Sequence, residues 1–308
     1  MMSVMDLRQL QAFLAVVDHG GFTAAARATH TVQSNISTHV ARLERQLDAT
    51  LIDRATGEPT QEGEAVVTRI RRIQNELTAL EADVASLQGS PRGLVRIGMI
   101  GTTGRWLVPL LVNELAQRAP QIELVVAEGS TTSLALRLAD GDLDIGVVGL
   151  PVDDPDLRTT PLFEEDHVVI APSGHPLTKL KPPISLQQLG EHDLLLAASG
   201  TSFRVELDAI LKQANITPKV KLEVDGIRLL ASLAFQGFGV AIVPATAAPG
   251  WIGGEWDRIS VEGLGRRAVG LASRRRGMPS VATQATADLI RSIVRREADT
   301  LPGLQPLA

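Results

Sequence analysis

The spacing of apolar residues changes once along this chain, near residue 90. Before that point, apolar residues recur every three or four positions, a pattern typical of amphipathic helices. After it, short apolar runs such as "LVRIGMIG", "IELVVAEG" and "LDIGVVG" alternate with helical patterns, as in folds with parallel strands and crossover helices. The sequence therefore predicts an α/β chain with an all-helical, winged N-terminal domain.

The first sixty residues predict three short helices and a small wing. The second helix follows a glycine pair, and we expect Thr23 to be its N-cap. The third helix lies in "TVQSNISTHVARLERQL", residues 31–47. Residues 51–53 indicate a brief strand that returns through a turn at 57–59, which predicts a two-stranded wing.

A longer helix follows, whose apolar residues alternate steps of three and four. They are Ile70, Ile73, Leu77, Leu80, Val84 and Leu87. This narrow repeat is typical of a coiled-coil seam and predicts a homodimer formed through this helix. The alternative is an ordinary amphipathic helix packed on its own domain.

Residues 31–47 place four apolar side chains on one face and small polar side chains on the other, with arginines toward the end. That arrangement is typical of a helix that enters the major groove of DNA, although a solvated face has a similar composition. The chain carries a net charge of −5, so the hypothesis rests on geometry and not on charge. The candidate DNA contacts are Gln33, Ser34, Asn35, Ser37, Thr38, Arg42, Arg45 and Arg54.

The order of these residues carries a resemblance. "AAARATHTVQSNISTHVARLERQLDATLIDR" resembles the N-terminal signature of LysR-type transcriptional regulators, and "DGDLDIGVVG" and "GFGVAIVP" are similar to motifs of their effector region. The resemblance implies a winged helix-turn-helix, a long linker helix and a two-lobed effector domain like a periplasmic binding protein. The implied bounds are 1–60, 61–89 and 92–308, with lobe I at about 92–166 and 268–308 and lobe II at about 167–267.

Two departures from the family pattern bear on DNA binding. Val32 stands at the usual serine position, so Thr31 or Ser34 would have to cap the third helix. Thr38 stands where an arginine is common, which leaves the expected DNA surface weakly charged. We therefore expect affinity for operator DNA to depend on the avidity of a dimer or tetramer.

Two clusters of small residues, at 101–104 and 199–202, lie between a predicted strand and its helix. Hydroxyl and N–H groups at a helix start suit a carboxylate, although helix capping explains either cluster alone. Matching the family's cleft extends the set of candidate effector contacts. They are Thr102, Thr103, Ser130, Thr132, Gly149, Ser199, Thr201 and Phe203. The expected effector is a small organic acid, with an aromatic or neutral metabolite as the alternative.

Other classes of function find less support. The chain has no cysteine, its six histidines lack paired spacing, and no nucleotide or hydrolase motif is present, so we expect no enzyme, metal or cofactor. His167, in an acidic stretch, is interpreted as part of a solvated turn, and the residues from Leu301 as a loose tail. Without an apolar membrane segment or signal peptide, a cytoplasmic location is expected. The rival hypothesis is a small-molecule binding protein or enzyme whose N-terminal helices serve only oligomerisation.

Overall fold

The computed structural model describes residues 5–87 and 89–307. Positions 1–4 of the expected DNA-binding domain, 88 of the linker range and 308 of the effector range lie outside the described residues. The chain divides into two compact units, Met1–Ala79 and Leu80–Ala308. None of the helices formed by the described residues is long and apolar enough to cross a membrane.

The N-terminal unit begins with the three expected helices, α1 (Leu7–His19), α2 (Phe22–Ala28) and α3 (Gln33–Leu47). A reciprocal capping box at Asp6 starts α1, because its carboxylate accepts from the backbone N–H of Arg8 at 2.9 Å while the Gln9 side chain accepts from the Asp6 N–H. The apolar faces of the helices form one buried core. Its members include Phe13, Val16, Ala25, Val40, Leu43, Leu51 and Ile52.

The prediction that Thr23 caps α2 was wrong. The helix begins after Gly21, whose φ of 141° suits a residue without a Cβ, and no side chain caps it. The Thr23 hydroxyl instead donates to Oε1 of Gln33 at 3.0 Å, so it joins the start of α2 to the start of α3.

The expected replacement caps of α3 do not form either. The N-cap is Val32, without a side-chain cap hydrogen bond, and the Thr31 hydroxyl accepts from Nδ2 of Asn35 at 3.2 Å. Ser34 lies inside the helix and does not cap it. An apolar N-cap leaves the first helical N–H groups without the acceptor that Ser or Asp would supply.

The wing is smaller than the expected pair of strands. A single antiparallel bridge joins Ile52 to Pro59, and the backbone N–H of Asp53 donates to the Glu58 carbonyl at 2.9 Å. Helix α4 (Gln61–Ser86) follows at once. Gly63 lies so close to the wing that a Cβ there would stand 3.1 Å from the carbonyl carbon of Leu51, which explains a glycine inside the first turn.

The apolar residues of α4 differ in exposure. Ile70 is buried in the core of the N-terminal unit. The other members of the repeat are exposed, and they are Ile73, Leu77, Leu80, Val84 and Leu87. A helix that turns a run of apolar side chains to water has a surface suited to a partner.

The second unit is one mixed sheet of ten strands that serves two hydrophobic cores. Its first elements are β1 (Arg92–Ile100), α5 (Gly101–Arg118), β2 (Gln121–Gly129), α6 (Thr131–Asp140), β3 (Ile145–Gly149) and β4 (Leu157–Pro172). They are followed by α7 (Leu186–Gly190), β5 (Asp193–Ala197), α8 (Ser202–Gln213), β6 (Lys219–Val224), α9 (Ile227–Phe235), β7 (Val240–Pro244), β8 (Trp256–Ile259), β9 (Arg266–Arg274), α10 (Val281–Glu297) and β10 (Leu304–Pro306). Strand order is β2-β1-β3-β9-β4-β7-β5-β6, with β8 and β10 also paired to β4.

Strand β4 is shared by the two lobes. Its first half pairs with β9 in lobe I, and its second half pairs with β7 and β8 in lobe II. The expectation of a loose tail from Leu301 was wrong, because β10 pairs antiparallel with β4 and places Leu304 opposite Glu165. Leu301 and Leu304 are buried in the core of lobe I, so the end of the chain packs as part of that lobe.

Supplying the missing cap will stabilise α3. Val32 is 65% exposed and already has extended backbone angles, so Val32→Ser places a hydroxyl at the helix start without strain. We expect a gain of about 1 kcal/mol, the usual contribution of such a cap. Hydrogen exchange of the amides of α3 in the full chain measures it. Val32→Ala is the control, and equal protection in the two variants would contradict the prediction.

Candidate functional site

The predicted DNA contacts on α3 lie on its outer side. Six are exposed, namely Gln33, Ser34, Asn35, Thr38, Arg42 and Arg45, whereas Ser37 is half-buried. Local bonds already hold some of them, since the Thr38 hydroxyl donates to the Ser34 carbonyl at 2.7 Å and Nε of Arg45 to the Ala41 carbonyl at 3.2 Å. The face thus offers amide, hydroxyl and guanidinium groups from one short helix.

Arg54 stands in the wing and not on α3. Its guanidinium lies 3.6 Å from the Glu44 carboxylate, which also accepts from the backbone N–H of Leu51 at 2.9 Å. Glu44 therefore links the end of α3 to the wing. Arg54 remains 69% exposed at its side chain, so its guanidinium stays accessible to a phosphate.

A cavity of about 730 Å³ lies between the two lobes of the second unit. Its volume is in the range of small-molecule sites. The first turns of α5 and α6 from lobe I and of α8 and α9 from lobe II contribute lining residues. Backbone N–H groups and positive dipole ends of four helices thus converge on one space, which favours an anionic or strongly polar ligand.

Five of the eight predicted effector contacts line this cavity: Thr102, Ser130, Gly149, Thr201 and Phe203. The other three do not. Thr103 is fully buried in lobe I, and Thr132 points outward from α6. The Ser199 hydroxyl donates to the Glu223 carboxylate at 3.1 Å, which makes it a support of its loop and not part of the wall.

Two of the five also hold local structure. Ser130 and Thr201 are the N-caps of α6 and α8, and the Thr201 hydroxyl both accepts from the Arg204 N–H and donates to the Ala198 carbonyl. Capping and cavity lining therefore fall on the same residues. The two explanations that the sequence left open are compatible.

The charged residues of the cavity were missing from the prediction. They are Arg105, Glu128, Glu206, Asp225, Arg228 and Arg267. They come from five separate segments, with Asp225 and Arg228 together around the start of α9, so no local motif unites them. Of these residues, only Arg105 could have been predicted from the sequence, because it is a cation directly after the predicted cluster at 101–104. Glu206 is half-buried in the wall, where burial raises its pKa while nearby Arg267 lowers it.

Arg267 lines the cavity and contacts both lobes. Its guanidinium forms an ion pair with Glu165 at 2.7 Å, and the two side chains are 8% and 0% exposed. A second bond reaches the Thr102 hydroxyl of lobe I at 3.2 Å, and the guanidinium lies 5.6 Å from the ring centroid of Phe203 in lobe II. The other oxygen of Glu165 accepts from the Thr246 N–H at 2.8 Å.

The interpretation of residues 164–167 as a solvated turn was wrong. They lie within β4, and the alternation of the strand turns Glu165 and His167 inward. Nδ1 of His167 lies 3.0 Å from the Leu264 carbonyl, and its ring packs edge-on against Phe203. Burial, the main cause, lowers the pKa of His167, and the cation of Arg267 lowers it further. Nδ1 carries a proton and donates it, because the carbonyl oxygen can only accept.

Within the described residues, no three histidine, aspartate or glutamate side chains cluster so as to hold a metal ion. A helix-turn-helix with an exposed polar helix, joined in sequence to two lobes around a polar cavity, defines the class of ligand-responsive DNA-binding proteins.

Comparison with known proteins narrows this class to one family. Residues 7–64 match the model of the bacterial regulatory helix-turn-helix protein of the lysR family, and residues 88–295 match that of the LysR substrate binding domain. The chain therefore belongs to the LysR family of bacterial transcriptional regulators, which are not enzymes and which bind DNA and small-molecule effectors.

Individual relatives agree with this assignment. A probable hydrogen peroxide-inducible genes activator of Mycobacterium leprae (strain TN) is 31% identical over 245 residues, 78% of each chain. Full-length CbnR complexed with its target DNA matches 96% of this chain and 100% of its own, with a TM-score of 0.69 and 22% identity. The effector binding domain of QuiR in complex with shikimate matches 67% of this chain and 98% of its own, with a TM-score of 0.59 and 24% identity.

Breaking the buried ion pair will strongly destabilise the second unit. Arg267→Met keeps the side-chain volume but leaves the Glu165 carboxylate buried without its cation, so we expect a loss of about 3–5 kcal/mol in unfolding free energy. Glu165→Gln combined with Arg267→Met will recover most of it. Urea unfolding followed by tryptophan fluorescence measures both, because all three tryptophans lie in this unit.

The adjacent residue supplies the control. Arg266, which precedes Arg267 on β9, pairs with Asp166 of β4 at 2.6 Å, but the two side chains are 38% and 35% exposed, so Arg266→Met will cost only about 0–1 kcal/mol. Equal losses for the two arginine variants would contradict the special role of the buried pair.

Proposed function

We propose that α3 is the helix that reads operator DNA, with residues 1–60 as the DNA-binding domain. The support is its exposed face of short polar side chains at the N-terminal end, followed by Arg42 and Arg45. Amide and hydroxyl groups suit base edges, whereas guanidinium groups suit phosphates. Arg54 in the wing would add a phosphate contact beside the groove.

We propose that residues 61–89 form the dimerisation helix and that dimers assemble further into a homotetramer. The support for the dimer is the run of exposed apolar residues on α4, which includes Leu77, Leu80 and Val84. The edge strands β2 and β6 also expose apolar side chains, among them Val125 and Leu222, and these edges favour further association. Two or four weakly charged α3 helices on one DNA would then compensate by avidity.

We propose that residues 92–308 bind the effector between lobe I, about 92–166 and 268–308, and lobe II, about 167–267. A small organic acid fits the cavity best, because helix starts, the Thr102 hydroxyl and the nearby guanidinium groups favour a carboxylate. The QuiR domain bound to shikimate, itself an organic acid, points the same way. Phe203 is the one aromatic residue among the lining residues, which gives an aromatic ligand less to stack on.

The name of the mycobacterial relative, a probable hydrogen peroxide-inducible genes activator, does not support a peroxide-sensing mechanism for this chain. Peroxide acts on proteins mainly by oxidising thiolates, and this chain contains no cysteine. We therefore propose a signal received by reversible ligand binding. The site of action is the cytoplasm, where a bacterial operator is found.

The DNA-binding proposal predicts graded effects on α3. Arg42→Ala and Arg45→Ala will each weaken binding of a mapped genomic fragment about tenfold, and Gln33→Ala will change the preferred sequence. Thr38→Arg will tighten binding and steepen the dependence of log K on log salt concentration by about 0.9. Gel-shift titration at fixed salt with competitor DNA measures these changes.

Arg118→Ala is the control, since this exposed arginine lies in the second unit. Unchanged binding by all the α3 variants would remove this helix from the interface. Retardation without sequence preference in the unmodified protein would contradict the proposed function as a whole.

The effector proposal predicts that cavity hydroxyls matter and that outward ones do not. A panel of acids that includes shikimate, succinate and benzoate will contain a ligand, and Thr102→Ala and Thr201→Ala will each weaken its binding about tenfold, or about 1.4 kcal/mol. Thr132→Ala is the matched control on α6. Calorimetry measures the affinities, and a bound acid that tolerates both cavity variants would place the site elsewhere.

A further inference from the structure

Two guanidinium groups from different lobes meet at one end of the cavity. Arg105 comes from α5 in lobe I, and Arg228 comes from the first turn of α9 in lobe II. Both also line a smaller pocket of about 300 Å³ beside the first. The two arginines and Glu128 thus form the wall that the two spaces share.

The hydrogen-bonding capacity of Arg105 is only partly used. Its Nη2 donates to the Ala247 carbonyl of lobe II at 2.8 Å, whereas its buried Nε has no hydrogen-bond partner in the described part of the chain. Burial and then the charge of Arg228 lower the pKa of Arg105, and Glu128 acts in the opposite direction. A nearby anion offsets the repulsion between two such cations.

Glu128 supplies that anion from within the chain. It is the penultimate residue of β2 and forms an ion pair with Arg228 across the two lobes. The pair lies directly over Gly101, the first residue of α5, where a Cβ would overlap the Glu128 carboxylate and stand 2.9 Å from Cδ of Arg228. The carboxylate therefore lies against a helix start as well as beside two guanidinium groups.

We infer that Arg105 and Arg228 form an anion-binding subsite of the cavity, and that Glu128 is its internal occupant, which a carboxylate of the effector replaces. The inference rests on the proposed function, since it takes the cavity as the effector site. Glu128 thus competes with the effector for the subsite, and Arg228 pairs with the carboxylate of Glu128 in the free protein and with that of the effector in the complex.

The exposure of the pair lowers the cost of this exchange. Arg228 and Glu128 are 49% and 53% exposed at their side chains, and an ion pair in that environment contributes little to stability. Little is lost when Glu128 leaves for solvent. A ligand carboxylate held in the cavity would interact with the guanidinium groups of both Arg105 and Arg228. The ligand would then bridge the two lobes in place of the Glu128–Arg228 ion pair.

Inorganic sulfate is a probe of the subsite that does not depend on knowing the effector. Glu128→Gln keeps the shape of the side chain but removes its charge, so we expect sulfate to bind the full chain about tenfold more tightly than before. Adding Arg105→Gln or Arg228→Gln to this variant will abolish the gain. Thermal stabilisation by sulfate at constant ionic strength gives the apparent affinities.

A matched change of charge on the strand that carries Glu128 tests whether the gain is specific to the cavity. Glu123→Gln is the control, since this exposed glutamate lies on the same strand and does not line the cavity. Equal sulfate affinity in the unmodified protein and Glu128→Gln would overturn the inference, as would a gain that persists in the double variants.

Failure of the inference and failure of the proposed function give different results. If Glu128→Gln still binds its genomic fragment selectively but sulfate affinity is unchanged, only the inference fails. If the unmodified protein shows no selective DNA binding, the proposed function fails whatever the sulfate result.

Discussion

The buried ion pair between Arg267 and Glu165 is the interaction on which the second unit depends. It joins β9 to β4, the strand that the two lobes share, and it also reaches Thr102 and Phe203 on opposite walls of the cavity. A pair with so little exposure is costly to desolvate, and its value lies in the geometry that it fixes. Because the same guanidinium lines the cavity, a ligand there contacts the group that connects the lobes.

The secondary structure was largely readable from the sequence because it depends on local spacing. The three N-terminal helices, the 26-residue α4 and the alternating strands all follow from apolar periodicity. The errors occurred where tertiary contacts decide. Thr23 forms a hydrogen bond with Gln33 of the next helix instead of capping its own helix. Residues 304–306 pair with β4 as an additional strand.

The candidate site was predictable in its hydroxyls and not in its charges. Thr102, Ser130 and Thr201 lie within four residues of a strand end, at positions that the strand–helix pattern brings to one edge. Arg267 and Glu128 lie on the strands themselves, and their contacts with Thr102 and Arg228 join residues a hundred or more positions apart. Glu165 was misinterpreted for a related reason. A run of acidic residues indicates a solvent-exposed segment, and the arginine that pairs with Glu165 in the interior is about a hundred positions away in the sequence.

The absence of cysteine limits how this chain can respond to a signal. Reversible binding can shift two conformations only by the difference in affinity of the ligand for each, and moving a ratio from 1:99 to 99:1 needs about 5.5 kcal/mol. One half-exposed pair such as Glu128–Arg228 supplies about 1 kcal/mol at most. The remainder has to come from buried contacts that differ between the two states, such as the bond between Arg267 and Thr102 in the cavity wall. A full response therefore requires a ligand that contacts Arg267 of the buried pair as well as Arg228 of the exposed pair.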